Sequence, residues 1–267
     1  MADKIQFKNP PVLEVVCGVV FSELRGMKAP HLGAYWDLIR DKFSNVDEAP
    51  PLLPPAPPGG EVTYTFEPTS LPRIWFYSED GRGLIQVQRD RFLFNWKRAD
   101  ADTETEYPSF DKIFPEFVCH LDNFKKFVSE QGWGDLEFKN FEMTYVNHIG
   151  NESAKPVVGA QVGDVLVDHV FDTRQDRFLP YPVGFKWNAS FDMPDNAGRL
   201  SMTAGTATRT DTDEQVLRLE MVASGIWEDK SDDGLKAWFE LAHEWITHGF
   251  VDLTSEEMHK KAWGRIK

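Results

Sequence analysis

Two carboxylates stand inside strand-like runs that are otherwise apolar. Glu14 interrupts VLEVV and Glu220 interrupts VLRLEMV, and a carboxylate so placed must be ion-paired, hydrogen-bonded or set at the wall of a cavity. Arg89, Arg91, Lys97, Arg98 and Arg218 are the cations available to them. A structural ion pair is the plainer outcome, and a polar pocket wall drawn from Glu14, Arg91, Asn95, His148 and Glu220 is the functional one. The run QVQRDRFLFNWKR (86–98) gathers the densest mixture of long polar and aromatic side chains. Phe92, Phe94 and Trp96 beside Arg89, Arg91 and Lys97 are residue types that stack on a base and pair with its phosphate; a solvated strand face accounts for them as simply. Asn147-His148 closes EMTYVNHI, and because neighbouring strand residues point to opposite faces, one of the two turns toward the covered side. A histidine there is more often a hydrogen-bonded core residue than a general base. Glu14, Arg89, Arg91, Asn95, Trp96, Lys97, His148 and Glu220 are therefore the candidate ligand-binding residues.

Other frames fail on spacing. HEWITH (243–248) invites a zinc-helix reading, but its histidines are five apart, about 140° around a helix, and cannot share one ion. Gly81-Arg-Gly83 and Pro58-Gly-Gly60 lack the frame of a phosphate loop. There is no GxSxG, and Cys17 and Cys119, the two cysteines, have no CxxC or Cys/His spacing. Both are expected to be buried thiols. No catalytic residue, metal site or cofactor is assigned.

Charge narrows the partners. With 29 Lys+Arg against 43 Asp+Glu the formal net charge is −14, so the chain as a whole does not attract nucleic acid or an anionic membrane, and binding of an extended nucleic acid is not expected. The residues are 41% hydrophobic, with 20 Phe and 9 Trp, too apolar for a disordered acidic chain. The acidity collects in DADTETE, DTDE, EDKSDD and TSEE, whereas residues 82–98 hold five cations against Asp90 alone. MADKIQFKNPPV has no basic stretch followed by an apolar one, and no apolar run approaches the roughly 20 residues of a spanning helix. A reducing, cytoplasmic setting is the expectation.

The elements that must position these residues follow from period. VLEVVCGVVF (12–21) reads as a largely buried strand. Leu32, Trp36, Ile39 and Phe43 step at helical spacing, predicting a helix from Pro30 to near Phe43. PPLLPPAPPGG (50–60) can form neither helix nor central strand; a stiff connector is the plain reading, a PxxP ligand the functional one. Strands are predicted at 62–68, 73–79 and 83–98, the last being either a hairpin turning at Arg89-Asp90 or one bent strand. Phe110, Phe114, Phe117, Leu121, Phe124 and Val128 mark a long helix over about 109–131 that Gly132 stops, with Pro115 either starting it near 114 or kinking it. A strand through 141–149 opens the second half. Strands at 165–171, 183–193, 199–210 and 216–227 follow, with DNAG and DTDE as connectors. Leu235, Trp238, Ala242, Trp245 and Gly249 trace the last long helix, capped by Ser231-Asp232-Asp233, and Thr254 to Glu257 has the form of a capping box for a short terminal helix.

Each half thus reads as an opening strand, antiparallel strands and a closing long helix. The fold class is α+β, antiparallel sheet packed against long helices, with halves at 1–134 and 135–267 in one compact unit. LEVVCGVVF (13–21) superposes on FEMTYVNHI (141–149) with glutamate second in each, which raises the prospect of two similar halves, of helix-grip or duplicated ferredoxin-like form.

NPPVLEVVCGVVF, LIQVQRDRFLFNWKR, TYVNHI and LAHEWITHGFVDLTSEEM with Trp263 together resemble an uncharacterised, sporadically distributed bacterial protein family over the full length. Its specific marks are the NPP-apolar-E opening, the QxQxDRFxxNW strand and the closing helix; Lys97 stands where the family usually has Arg. A patchy distribution implies laterally moved genes, often near defence, toxin–antitoxin or mobile-element functions. The expected function is a non-enzymatic cytoplasmic accessory protein that binds a protein partner or itself, since an acidic surface attracts a basic one. The rival is a small-molecule pocket, with or without hydrolytic chemistry, between sheet and long helix.

Overall fold

A computed structural model describes residues 5–52, 71–98, 107–150, 162–167, 178, 183–210 and 213–266. The run VLEVVCGVVF is strand β1 (Val12–Phe21), and its alternation fixes two unlike faces. Val15, Cys17, Val19 and Phe21 are buried on one, whereas Glu14, Val16 and Gly18 point to the other. Helix α1 (Ala29–Ile39) follows, then strands β2 (Asn45–Ala49), β3 (Arg73–Tyr77), β4 (Gly83–Gln88) and β5 (Arg91–Lys97), and helix α2 (Phe110–Glu130). The second half runs β6 (Phe138–Ile149), the single helical turn α3 (Val162–Val165), β7 (Lys186–Asp192), β8 (Arg199–Thr208), β9 (Gln215–Gly225) and α4 (Asp232–Leu253). The nine strands form one antiparallel sheet in the order β2-β3-β4-β5-β1-β6-β9-β8-β7. The fold is α+β.

The two opening strands meet at the centre of this sheet. β1 pairs with β6 through Val15↔Tyr145, Val16↔Thr144 and Cys17↔Met143. Sliding 13–21 onto 141–149 carries Val15↔Tyr145 onto Met143↔Cys17, a pair of the same ladder. β5 and β9 flank the central pair and β4 and β8 lie beyond them. Past that point the sides differ: β3 is paired outward with β2, whereas β7 is the last strand among the described residues.

Both long helices lie on the face of Val15 and Cys17. α2 sits over β5 and β1, and α4 over β6, β9 and β8. Phe92 stacks on Phe124 at 5.1 Å, and Phe239 of α4 meets Phe114 and Phe117 of α2, each at 5.2 Å. Burying a phenylalanine in such a cluster stabilises by about 1.5–3 kcal/mol relative to exposure. Trp238 Nε1 donates to the carbonyl of Ala197 at 2.8 Å, tying α4 to the β7–β8 connection. That connection lies so close to the end of β9 that a Cβ at Gly198, whose φ is +140°, would lie 2.2 Å from the Ser224 carbonyl oxygen. Glycine is required there by contact as well as conformation.

Of its two readings the run 83–98 takes the hairpin, with Gln88↔Arg91 closing the turn at Arg89-Asp90. Several expectations are corrected. α1 ends at Ile39, short of Phe43; Phe43 reaches the core from outside the helix, its carbonyl accepting from Trp36 Nε1 at 3.0 Å. β2, with the sequence NVDEA, carries no apolar alternation and exists through its pairing with β3. α2 starts at Phe110 and runs through Pro115. The strand expected at 165–171 is instead the turn α3 followed by one bridge from Leu166 to Thr254, with 168–171 outside the described residues. The strand expected at 62–68 and most of the proline-rich 50–60 are also outside them. Ser255, not Thr254, caps the terminal turn, a π-helical Met258–Ala262: its Oγ accepts from Met258 N at 3.4 Å, while the Thr254 hydroxyl donates to the carbonyl of Phe250 at 2.6 Å. Cys17 is buried but Cys119 is exposed, on the outer side of α2. No described helix is long and apolar enough to cross a membrane.

Phe239→Ala removes the ring shared by α2, α4 and the sheet, and chemical denaturation is expected to show a loss of about 3–5 kcal/mol. Leu38→Ala, on the exposed side of α1, is expected to change stability by less than about 0.5 kcal/mol.

Candidate functional site

Six of the eight sequence-derived residues share a sheet face, and none of the eight lines either of the two cavities described below. Glu14, Arg91, Asn95, Lys97, His148 and Glu220 all lie on the sheet face opposite the helices, because β1, β5, β6 and β9 pair in register there: Glu14↔Lys97, Val16↔Asn95, Val20↔Arg91, His148↔Arg218. They divide into separate contacts. Gln86 Nε2 donates to Asn95 Oδ1 and Asn95 Nδ2 to Glu14 Oε1, each at 2.7 Å, which satisfies the carboxylate that interrupts β1. Arg91 lies 3.8 Å from Glu142, and Glu220 pairs with Arg218. Arg89 turns away to Glu23 at 3.5 Å. Burial outweighs the pull of Arg91 on Glu142 and raises its pKa, with Glu220 adding to the rise. Trp96 alone of the set faces the helices, its ring 5.5 Å from Tyr107. Asn147, and not His148, is the buried member of its pair, donating to the carbonyl of Leu219 at 3.2 Å.

A cavity of about 360 Å³ lies on the helix side, in the range of small-molecule sites. Its floor is the end of β6, with Tyr145 and Asn147; its walls are the start of α2, with Phe110 and Asp111, and the middle of α4, with His243 and Phe250. A strap of chain closes the remaining side. Lys8 N donates to the carbonyl of Gly264 and Asn9 N to that of Trp263, each at 3.0 Å, and Ile266 N to that of Gln6 at 2.8 Å. Phe7 on this strap sits edge-on to Phe250 and Trp263.

Local chemistry positions the polar groups. The hydroxyls of Tyr107 and Tyr145 are 2.8 Å apart, so one proton joins them and the other is left to offer. Burial pushes both phenols well above their ordinary value, and they stay neutral donors throughout the physiological range. His243 stacks on Phe110 with ring centroids 4.4 Å apart. Asp111 occupies the first turn of α2, where the helix dipole favours a carboxylate, just after Ser109, whose φ is +74°. Aromatic and aliphatic walls with a few convergent polar groups suit a compact, mostly apolar ligand with one hydrogen-bonding head. Among the described residues no group of three or more His, Cys, Asp or Glu side chains could hold a metal ion.

The sequence signals for this cleft were weak. Tyr145 and Asn147 lie in the strand 141–149, and His243 belongs to HEWITH, yet nothing in spacing couples them to Tyr107 or Phe7. No family model and no curated protein matches the chain.

Two histidines report on the surroundings of this core. His120 of α2 lies between Phe43 and Phe94, each 5.1 Å away, and burial, aided by the charge of Lys42, lowers its pKa to about 4. Below the strap, the Thr254 hydroxyl gives its proton to the carbonyl of Phe250 and so accepts from His259 Nε2 at 2.7 Å. A second proton would go on buried Nδ1, which has no acceptor; burial lowers this pKa too. Both groups are neutral in the folded chain and protonate more readily when it unfolds. The stability they contribute is complete above the unfolded value near 6.5 and, for His120, is lost as pH falls toward about 4. Proton NMR is expected to place the His120 midpoint near 4, and His120→Phe to flatten the fall of stability between pH 6.5 and 4.

Proposed function

We propose that this chain is a binding protein whose cleft between β6, α2 and α4 takes a small, mostly apolar ligand. The observation that carries this reading is the neutral Tyr107–Tyr145 pair beside a cavity of about 360 Å³ walled by Phe7, Phe110 and Phe250. Phenols held far above their ordinary pKa suit hydrogen-bonding to a ligand better than proton transfer at neutral pH. Two similar halves are supported by the glutamate shared at the second position of LEVVCGVVF and FEMTYVNHI, with the cleft drawn from both halves. A cytoplasmic setting and a defence or toxin–antitoxin partner remain supported by the acidic charge and by the family resemblance.

A thermal-shift panel of aromatic carboxylates, medium-chain fatty acids and nucleobases tests the site, because a ligand that binds only the folded chain raises its melting temperature. At least one class is expected to do so. Tyr145→Phe is expected to weaken that ligand about five- to tenfold, the share of one hydrogen bond. Thr247→Trp, from the cleft wall, is expected to abolish binding by filling the space. No shift from any class, or binding unchanged in Thr247→Trp, would sink the proposal.

A further inference from the structure

Among the described residues β7 ends the sheet, at a position that the first half fills. On the other side of the central pair the equivalent strand, β3, has β2 on its outer edge. β7 has β8 on one side and, among the described residues, no strand on the other. Its hydrogen bonds to β8 come from odd-numbered residues: Met193 N donates to Gly198 O at 2.9 Å, and Phe185 O accepts from Thr206 N at 3.0 Å. By the alternation of an antiparallel ladder, Lys186, Asn188, Ser190 and Asp192 direct their main-chain N–H and C=O groups outward.

The sequence of that edge, KWNASFD, is complementary to itself when reversed about Ala189. Two copies paired antiparallel would set Lys186 opposite Asp192, Trp187 opposite Phe191 and Asn188 opposite Ser190, each twice. Every pair respects the faces. Lys186, Asn188, Ser190 and Asp192 share the polar side, while Trp187, Ala189 and Phe191 share the helix side with Leu200 and Met202. The outward main-chain groups of 188 and 190, and of 186 and 192, fall opposite one another and exchange hydrogen bonds in pairs. Phe191 is 45% exposed at the mouth of a groove of about 450 Å³ formed with Trp245, Leu200 and Met202, so an aromatic ring across the strand pair would cover it. The same reversal at the opposite edge fails. β2, NVDEA, would set Asp47 against Asp47, and like charges directly opposite repel.

We propose that the protein forms a two-fold homodimer through β7, joining the two sheets edge to edge with all four long helices on one side. The contact is isologous, as a closed dimer requires. It uses no residue of the Tyr107 cleft and stands or falls independently of it.

Native mass spectrometry and light scattering on the whole chain, from about 1 µM to about 100 µM, test it across the range a modest interface needs. A species of twice 30.6 kDa is expected to grow with concentration. Ser190→Pro removes one outward N–H while leaving the ladder to β8 intact, and is expected to weaken dimerisation more than tenfold with little change in melting temperature. Lys186→Asp, which opposes it to Asp192 of the second copy, is expected to do the same. A chain monomeric throughout the range overturns the proposal. So does a dimer unaffected by either Ser190→Pro or Lys186→Asp, and so does a monomer whose 188 and 190 amides exchange slowly, since the edge is then already occupied.

Discussion

The pairing of β1 with β6 is the constraint on which the remaining structure depends. Among the described residues it is the one ladder between named strands that joins the two halves, and its parity decides the face of every strand outward from it. With Val15 opposite Tyr145 and Cys17 opposite Met143, the apolar residues of both strands fall on one side, where α2 and α4 cover them. A slip of one residue would send either Glu14 with Asn95 or, on the other strand, Glu142 under the helices and turn the matching apolar residues out. The carboxylates that look misplaced within apolar runs thus mark register: each is tolerable on one face and costly on the other.

That polar face is organised locally and not around a centre. Gln86, Asn95 and Glu14 form a chain of two hydrogen bonds, Arg91 faces Glu142, and Arg218 holds Glu220. These contacts run along one strand, between neighbours, or across one intervening strand, on the face that no described helix covers. The cleft on the other side is made differently. Its tyrosines are bonded to each other, and its walls come from the strap, β6 and the two long helices, four segments far apart in sequence.

That difference explains what could be read from the sequence. Period 3.6 places α2 and α4, and an apolar run or alternation places β1, β6, β8 and β9, because each buries a face large enough to leave a pattern. It fails at β2, where NVDEA is held by its neighbour rather than by burial, and at Val165, expected to open a strand but ending the turn Val162–Val165. Phe43 shows a subtler limit: its spacing fits a helix that ends four residues earlier, since a side chain can reach the core without sharing the helix. Of the candidate site, Glu14 and Glu220 were legible as carboxylates set within apolar strands, but not the divided contacts they make. Tyr107 and Phe7 were not legible, because their roles arise from tertiary contacts with no period in sequence.

The strap that closes the cleft joins residues 6–9 to 263–266. During synthesis, which runs from the N-terminus, β1, α2 and β6 can begin to pack long before the residues that hold Phe7 in place exist. The cleft therefore closes only after β9 and α4 have been made, and a nascent chain that has not yet reached residue 263 would carry a nearly finished sheet beside an open hollow.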